Sequence, residues 1–558
     1  MDNKRIYLWG VLGLMIWLNF ISWQRDYPPI ASSAAVSNPA GANTSSAVPS
    51  LPSSSASSSA VTTAEVTAPV AATPSAGSIK IRVVTDVLDL DVNTRGGDIE
   101  RADLLKYSLS KDQPDTTVQL LSDVPSVFFV TRSGLLSSNP AAAPSHLAIY
   151  TSPANEYRMV DGQNELAVPM TWLDANGVSV TKTYTFKRGS YAVGVTYAVN
   201  NSSSAEWQGA SYVQLFRHDL PVSYSMLDAT TIAYRGPAIY NGKGYRKLPV
   251  SDSEDSKYQA STTGGWMAGL QHYFVVAAVP PAGQAYDYSL SVDEASSNYT
   301  MSYRGPLQSV PAGSSAQLQE TLFIGPKLQD QLAATGPELD RATDYGKLSI
   351  IARPLFWLLQ KVHQFVSNWG IAIVITTLLI KLAFYRLTAS SGRSMAKMRT
   401  IAPKMKALQE RYKDDREALG RATMEMYKKE KINPVAGCLP MLIQIPFFMG
   451  FYWVLLESVE LRQAPFFGWV TDLSSRDPYF ILPVIMGVAN YAQFKLNPAP
   501  TDPMQAKIMS FMPIMMTVMM AWFPSGLVLY WITNTLVSAL QQWRINKLVE
   551  ADGKQVTA

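Results

Sequence analysis

The chain has 558 residues, is 47% hydrophobic and carries 47 Lys and Arg against 43 Asp and Glu, so that it is long enough for several domains yet only modestly basic. That total conceals segregation: residues 24 to 350 hold 22 Lys and Arg against 29 Asp and Glu, and the rest of the chain 25 against 14, as expected when one region is translocated and the other meets cytoplasm and anionic lipid. The one cysteine, Cys438, excludes disulfides from the acidic region and a thiolate metal cluster from the whole chain.

Lys4 and Arg5 precede an apolar run from Ile6 to Trp23, followed by Gln24, Arg25 and Asp26. A signal peptide is one reading, but no small-x-small cleavage site follows directly; an uncleaved anchor over 1–24, with its N-terminus cytoplasmic, fits better. Residues 25–77, mostly Ala, Ser, Thr and Pro, bury too little apolar surface to offset the entropy of ordering and read as a disordered tether.

Over 78–338 the pattern becomes short period-two runs, such as Val180 to Phe186 and Tyr191 to Val199, punctuated by Asn176-Gly177, Arg188-Gly189 and Asn241-Gly242. This predicts one large antiparallel β-sandwich. Its His146, His218 and His272 lack metal-ligand spacing and are assigned structural roles. Residues 339–366 place Leu348, Ile351, Leu355, Leu358, Leu359 and Val362 at helical spacing, with Pro354 marking a kink or restart. They read as an amphipathic interfacial helix or, alternatively, as a linker packed on the sandwich.

A five-helix membrane core is expected over 367–547, giving six spans with the anchor. Its first segment, Asn368 to Leu387, is long enough to cross a bilayer but carries Lys381 inside its apolar run. A cation there costs on the order of 3 kcal/mol, and such residues usually face a bundle interior or a wet cavity. Snorkelling towards Arg386 is the other reading, and this stretch alone does not choose between them. Arg386 to Lys431 holds 13 Lys and Arg against 6 Asp and Glu, and its apolar residues recur at helical steps on both sides of Lys413-Asp414-Asp415. It reads as a cytoplasmic two-helix hairpin over 388–432. Its basic face suits anionic lipid, ribosomal RNA or an acidic protein, or is merely solvated. Apolar segments at about 435–458, 478–494, 506–523 and 525–543 follow, and 548–558 is a cytoplasmic tail. With the charged loops, this gives both termini cytoplasmic and the β-domain outside.

No phosphate-binding loop, His-Glu-x-x-His or Gly-x-Ser-x-Gly occurs, and the helical half holds one histidine, His363. What remains is uncharged polar groups in apolar helices: Thr377 on the face of Lys381, then Gln444, Asn490, Gln493, Thr517, Thr533, Asn534 and Ser538. Hydrogen bonding between helices is their ordinary use; lining a wet groove with Lys381 is the alternative. Six methionines between Met509 and Met520 add a pliable apolar wall.

Several motifs resemble the YidC-type membrane protein insertases of Gram-negative bacteria: Ser394-Met-Ala-Lys-Met-Arg, Asn433-Pro-Val-Ala-Gly-Cys-Leu-Pro-Met-Leu-Ile-Gln-Ile-Pro, Ser458-Val-Glu-Leu-Arg-Gln-Ala-Pro-Phe, Asp502-Pro-Met-Gln-Ala-Lys-Ile-Met and Trp522-Phe-Pro-Ser-Gly-Leu-Val-Leu-Tyr-Trp. The resemblance implies a multi-pass inner-membrane protein that is not an enzyme, requires no cofactor or metal, and inserts and helps fold membrane proteins without ATP. It implies a hydrophilic groove lined by Lys381, Thr377, Gln444, Tyr530 and Trp531, and a hairpin whose Arg399, Lys404, Arg411 and Lys413 meet substrate or ribosome. Implied partners are nascent membrane proteins, the ribosome, the Sec translocon and anionic lipids, with no specific nucleic acid sequence. Three positions depart from the family pattern: Lys381 where arginine is usual, Trp531 where a second tyrosine is common, and Arg386 where proline commonly follows tyrosine. Lysine offers a point charge instead of a rigid fork, which removes bidentate capture of a carboxylate. Two other classes stay in view: a small-solute transporter with an extracytoplasmic binding domain, and a membrane-bound enzyme acting on glycans.

Overall fold

The structure, a computed structural model, describes residues 78–139, 142–219, 233–293, 295–412, 415–430, 439–496 and 503–557. The expected anchor, the tether, Lys413 and the opening of the Asn433 motif lie outside the described residues.

The period-two runs become strands whose inner faces are apolar. Val178–Lys187 and Ala192–Asn201 alternate buried and partly exposed residues along most of their length. Among the described residues the strands form one eleven-stranded and one eight-stranded sheet. Pairing is antiparallel except where Lys80–Val84 meets Glu156–Arg158. Both sheets feed one apolar core, with Ile81, Leu90 and Val213 from the larger and Val180, Val195 and Phe323 from the smaller. Simple alternation also carries Lys182 inward, between Val180 and Tyr184. Its ammonium is held by the carbonyls of Gly96, Gly97 and Ser133 at 2.8 to 3.0 Å, and burial lowers its pKa to about 7. The chain can offer consecutive carbonyls there because Gly96 and Gly97 have φ of 74° and 64°, open to glycine without strain. The three histidines are hydrogen bonded: His146 to Tyr212, His218 to Asn298 and His272 to the Leu456 carbonyl.

Glu320, on strand Ser314–Pro326 of the smaller sheet, accepts hydrogen bonds from Ser211 and Tyr303 of the larger. Burial pushes its carboxyl up to about 7, and the two hydroxyls only partly offset this. Between about pH 4.5 and 7 the folded protein thus holds a proton that the unfolded chain releases. This contribution to stability is complete below about pH 4.5 and is lost as pH rises through about 7, roughly 3 kcal/mol in all. Glu320→Gln is therefore expected to gain stability relative to the unsubstituted protein between pH 5 and 8, measured by thermal unfolding of the β signal in detergent. A constant difference across that range would mean that the folded carboxyl is ionised throughout.

After the strands come α1 (Gln329–Thr335), two single 3-10 turns at Leu339–Ala342 and Gly346–Leu348, and α2 (Ser349–Val366). The helix expected from residue 339 begins ten residues later, because Leu339 and Ala342 are buried in the β core and Gly346, at φ 61°, turns the chain. Pro354 neither breaks nor restarts α2; it lies near enough to the N-terminus that little of the ladder precedes it. Ser367 in the left-handed region ends α2, and the side chain of Asn368 caps α3 (Trp369–Ala383) by accepting from the Ile371 N–H at 3.0 Å.

The stretch from Asn368 to Leu387 is not one straight helix. It breaks at Phe384, and α4 (Tyr385–Thr400) leaves at 71° to α3. The Phe384 ring meets Phe447 edge-on at 5.2 Å, while Thr388 and Gly392 of α4 bond to Gln541 and Gln542, so the polar helix turns aside to partners that lipid would not supply. The basic segment holds three helices instead of two: α4, α5 (Ala402–Arg411) and α6 (Arg416–Lys429). Pro403 accounts for the extra break, since it has no N–H to continue α4 and is accepted in the first turn of α5. Then come α7 (Leu439–Glu457), α8 (Ile481–Leu496), α9 (Pro503–Met520) and α10 (Ser525–Thr557), the last running on through residues expected to form a tail. Among the described residues no single helix is both long and apolar enough to cross a membrane; the bent pair α3 and α4 passes jointly by length and composition.

The β-domain meets the helices along a polar seam. Lys327 lies 3.6 Å from Glu457, the last residue of α7, with both side chains at most 5% exposed. Around them, Tyr345 meets Ser458 at 3.2 Å, and Arg462 donates to the carbonyls of Ser108 and Leu109.

Candidate functional site

Along α3, α7 and α10 one order recurs. The end nearer the β-domain is sealed by apolar packing, with Ala372 and Ile373 of α3, Phe451 and Val454 of α7, and Leu527 and Val528 of α10 all without exposure. Further along each helix the packing gives way to an open cleft. Its polar lining is Thr377, Lys381, Thr388, Gln444, Tyr530 and Asn534; Ile380, Phe384, Leu387 and Phe447 complete it.

Helical spacing explains how so few residues reach one cleft. Thr377 and Lys381 are four apart on α3, Gln444 and Phe447 three apart on α7, and Tyr530 and Asn534 four apart on α10, with Ser538 one turn further along the same face, beyond the lining. The break at Phe384 then swings Thr388 round to the same opening. Lys381 is half-buried, and its ammonium donates to Ser538 Oγ at 2.7 Å. It therefore reaches across to α10 within the bundle instead of running along its own helix. Among the described residues no ion pair includes Lys381. The Thr377 hydroxyl is spent on the Ile373 carbonyl at 2.7 Å, and the Tyr530 ring stacks on Phe451 at 4.6 Å. Those two residues shape the wall.

Of the five groove positions expected from sequence, Lys381, Thr377, Gln444 and Tyr530 line this cleft and Trp531 does not. One residue on from Tyr530 is 100° round the helix, and there the Trp531 indole donates to Asn490 of α8 at 3.2 Å and meets Phe448 edge-on. The basic positions are not gathered at the cleft. Arg399 is exposed on α4, Lys404 pairs with Glu430 at 2.6 Å, and Arg411 lies over the Tyr412 ring. Thr388 and Gln541, bonded to each other at 3.0 Å beside the opening, were not singled out in the sequence. The stripe of Tyr530, Asn534 and Ser538 at four-residue spacing is the signal that marks α10's polar face.

The family described as YidC periplasmic domain matches residues 80–358, and the family described as 60Kd inner membrane protein matches residues 361–552. The membrane protein insertase YidC of Methylococcus capsulatus is 44% identical over 556 residues, covering 99% of each chain. That of Stutzerimonas stutzeri is 43% identical over 561 residues, covering 99% of this chain and all of the relative. A crystal structure of an active YidC insertase with its first transmembrane domain resolved is similar over 83% of this chain and 91% of its own, at 19% identity and a TM-score of 0.37.

Proposed function

The chain belongs to the YidC family of membrane protein insertases, and we propose that it inserts and helps fold inner-membrane proteins without ATP, through the cleft around Lys381. As a member of that family it is an inner-membrane insertase with a periplasmic β-rich domain, not an enzyme. The observation that carries the mechanism is an ammonium inside a helical bundle that, among the described residues, is tied only to a neutral hydroxyl and is bordered by Gln444, Asn534 and Thr388.

A short hydrophilic tail entering from the cytoplasmic side meets these groups partway into the bilayer, which lowers the cost of leaving water. Lys381 attracts the tail's carboxylates, and the hydrophobic segment behind them leaves sideways into lipid. Burial of that segment's apolar surface, roughly 25 cal/mol per Å², drives the step, so no nucleotide is required. The apolar seal towards the β-domain keeps the cleft from becoming a pore.

The proposal includes six membrane helices, the first an anchor over residues 1–24, with both termini cytoplasmic. The hairpin residues Arg399, Lys404, Arg411 and Lys413 receive the nascent chain or touch the ribosome and anionic lipid, and the Sec translocon is a partner for some substrates. Supporting this are the excess of Lys and Arg over Asp and Glu in the hairpin and the exposure of Arg399 and Arg411.

The test is insertion of a single-spanning, acidic-tailed protein into proteoliposomes containing this protein alone; a requirement for ATP would overturn the reading. A photo-crosslinker at Gln444 is expected to capture a ribosome-bound nascent membrane protein, whereas one at Trp531, packed against α8, is expected to yield at least about tenfold less. Equal yields would mean that substrate does not follow the cleft.

A further inference from the structure

The ammonium of Lys381 is held by a neutral hydroxyl on another helix. Ser538 lies on α10, 157 residues along the chain from Lys381, and its Oγ accepts from the ammonium at 2.7 Å. The hydroxyl's own proton goes to the carbonyl of Asn534, one turn back, also at 2.7 Å. With that proton committed, Ser538 presents only lone pairs to the Lys381 ammonium and can do nothing but accept. A neutral hydroxyl is a weaker acceptor for an ammonium than a carboxylate, and it satisfies one of three donors. Asn534 lines the cleft beside Lys381, so the relay from ammonium to hydroxyl to carbonyl runs along its wall.

The geometry points to Ser538 as a positioning residue that parks the Lys381 ammonium against α10 between substrates and is displaced when a substrate carboxylate arrives. This rests on the reading of Lys381 as the cation that meets acidic tails. The parking contact has two effects. It keeps the lysine inside the bundle, away from the headgroups its stem could reach, and it sets a threshold that a tail must exceed, so that carboxylates engage and weaker acceptors do not. Selectivity for acidic tails is thus tuned from α10 as well as by the charge on α3.

The experiment uses the full-length protein in phosphatidylethanolamine and phosphatidylglycerol vesicles with two probes: a single-spanning protein with an acidic tail, and the same protein with every tail carboxylate replaced by its amide. The readout is the ratio of their insertion rates, which a general loss of folding would not change. Ser538→Ala removes the parking acceptor, lets weaker acceptors engage and frees the lysine to leave the bundle, and is expected to lower the acidic-to-amide ratio about threefold or more. Ser538→Asp supplies a resident carboxylate that pairs with Lys381 and is expected to lower it about tenfold. Ser538→Thr keeps the hydroxyl and returns the ratio towards that of the unsubstituted protein. Lys381→Gln serves as the reference and is expected to bring the ratio to about one. If Lys381→Gln does so while Ser538→Ala and Ser538→Asp leave the ratio unchanged, the parking role is overturned and the role of Lys381 stands. If Lys381→Gln also leaves it unchanged, the charge mechanism falls and the parking role with it.

Discussion

Lys381→Glu is expected to reduce insertion of an acidic-tailed substrate about a hundredfold, while Lys381→Arg retains most of it. Two unit charges 4 Å apart interact by about 4 kcal/mol at an effective dielectric constant of 20, and reversal turns that attraction into repulsion. The cleft is open and admits water, which screens part of the effect; a hundredfold change in rate corresponds to about 2.7 kcal/mol. The position magnifies the change because no carboxylate among the described residues shares the lysine and the neighbouring polar groups are neutral. Arginine preserves the charge and, given its rigid fork, holds a carboxylate by two bonds where lysine holds it by one. The measurement is the initial insertion rate in proteoliposomes at matched protein content. Equal rates for Lys381→Glu and the unsubstituted protein would end the electrostatic account.

The second large effect is expected at the seam. Lys327→Ala or Glu457→Ala alone is expected to destabilise the protein by about 3 kcal/mol, because each leaves the other charge buried without its nearest partner, with only Asp344 or Lys247 left to offset it. Replacing both at once, Lys327→Met with Glu457→Leu, is expected to cost far less, since the penalty of a lone buried charge disappears. Around the pair, His272 is bonded to the Leu456 carbonyl, Tyr345 to Ser458, and Lys247 to Asp344 at 2.7 Å. Loosening it therefore releases the outer end of α7, the helix that brings Gln444 to the cleft. Thermal unfolding in detergent of the two single variants and the double variant decides the matter. A double variant as unstable as the worse single variant would show that the pair acts through something other than its mutual charge.

Much of the site was legible because helical periodicity is local. Thr377 and Lys381 share a face by spacing alone, and the stripe of Tyr530, Asn534 and Ser538 could be found in the same way. Gln444 stood out as an uncharged polar residue in an apolar helix, and the motif match then assigned it to the groove. Trp531 stands outside this cleft's lining: adjacency in sequence is a 100° rotation on a helix, and its indole is bonded to α8. The partner of Lys381 was not legible, since 157 residues separate it from Ser538.

What the sequence determined by itself is everything that repeats over short distances or follows composition: strands of period two, helices of period 3.6, a cysteine-free acidic region, a basic helical segment, and family motifs spread across the helical half. What only the tertiary structure decided is what distant segments do to one another. Alternation assigned Lys182 to an inner face but could not supply the three carbonyls that hold it there, and Lys327 and Glu457, 130 residues apart, meet only because the β-domain seats on α7. Hydropathy read Asn368 to Leu387 as one helix, and the structure bends it at Phe384 because Phe447 and Gln541 offer partners that no property of the stretch itself records. Periodicity is a property of one segment; burial, pairing and bending are properties of the company it keeps.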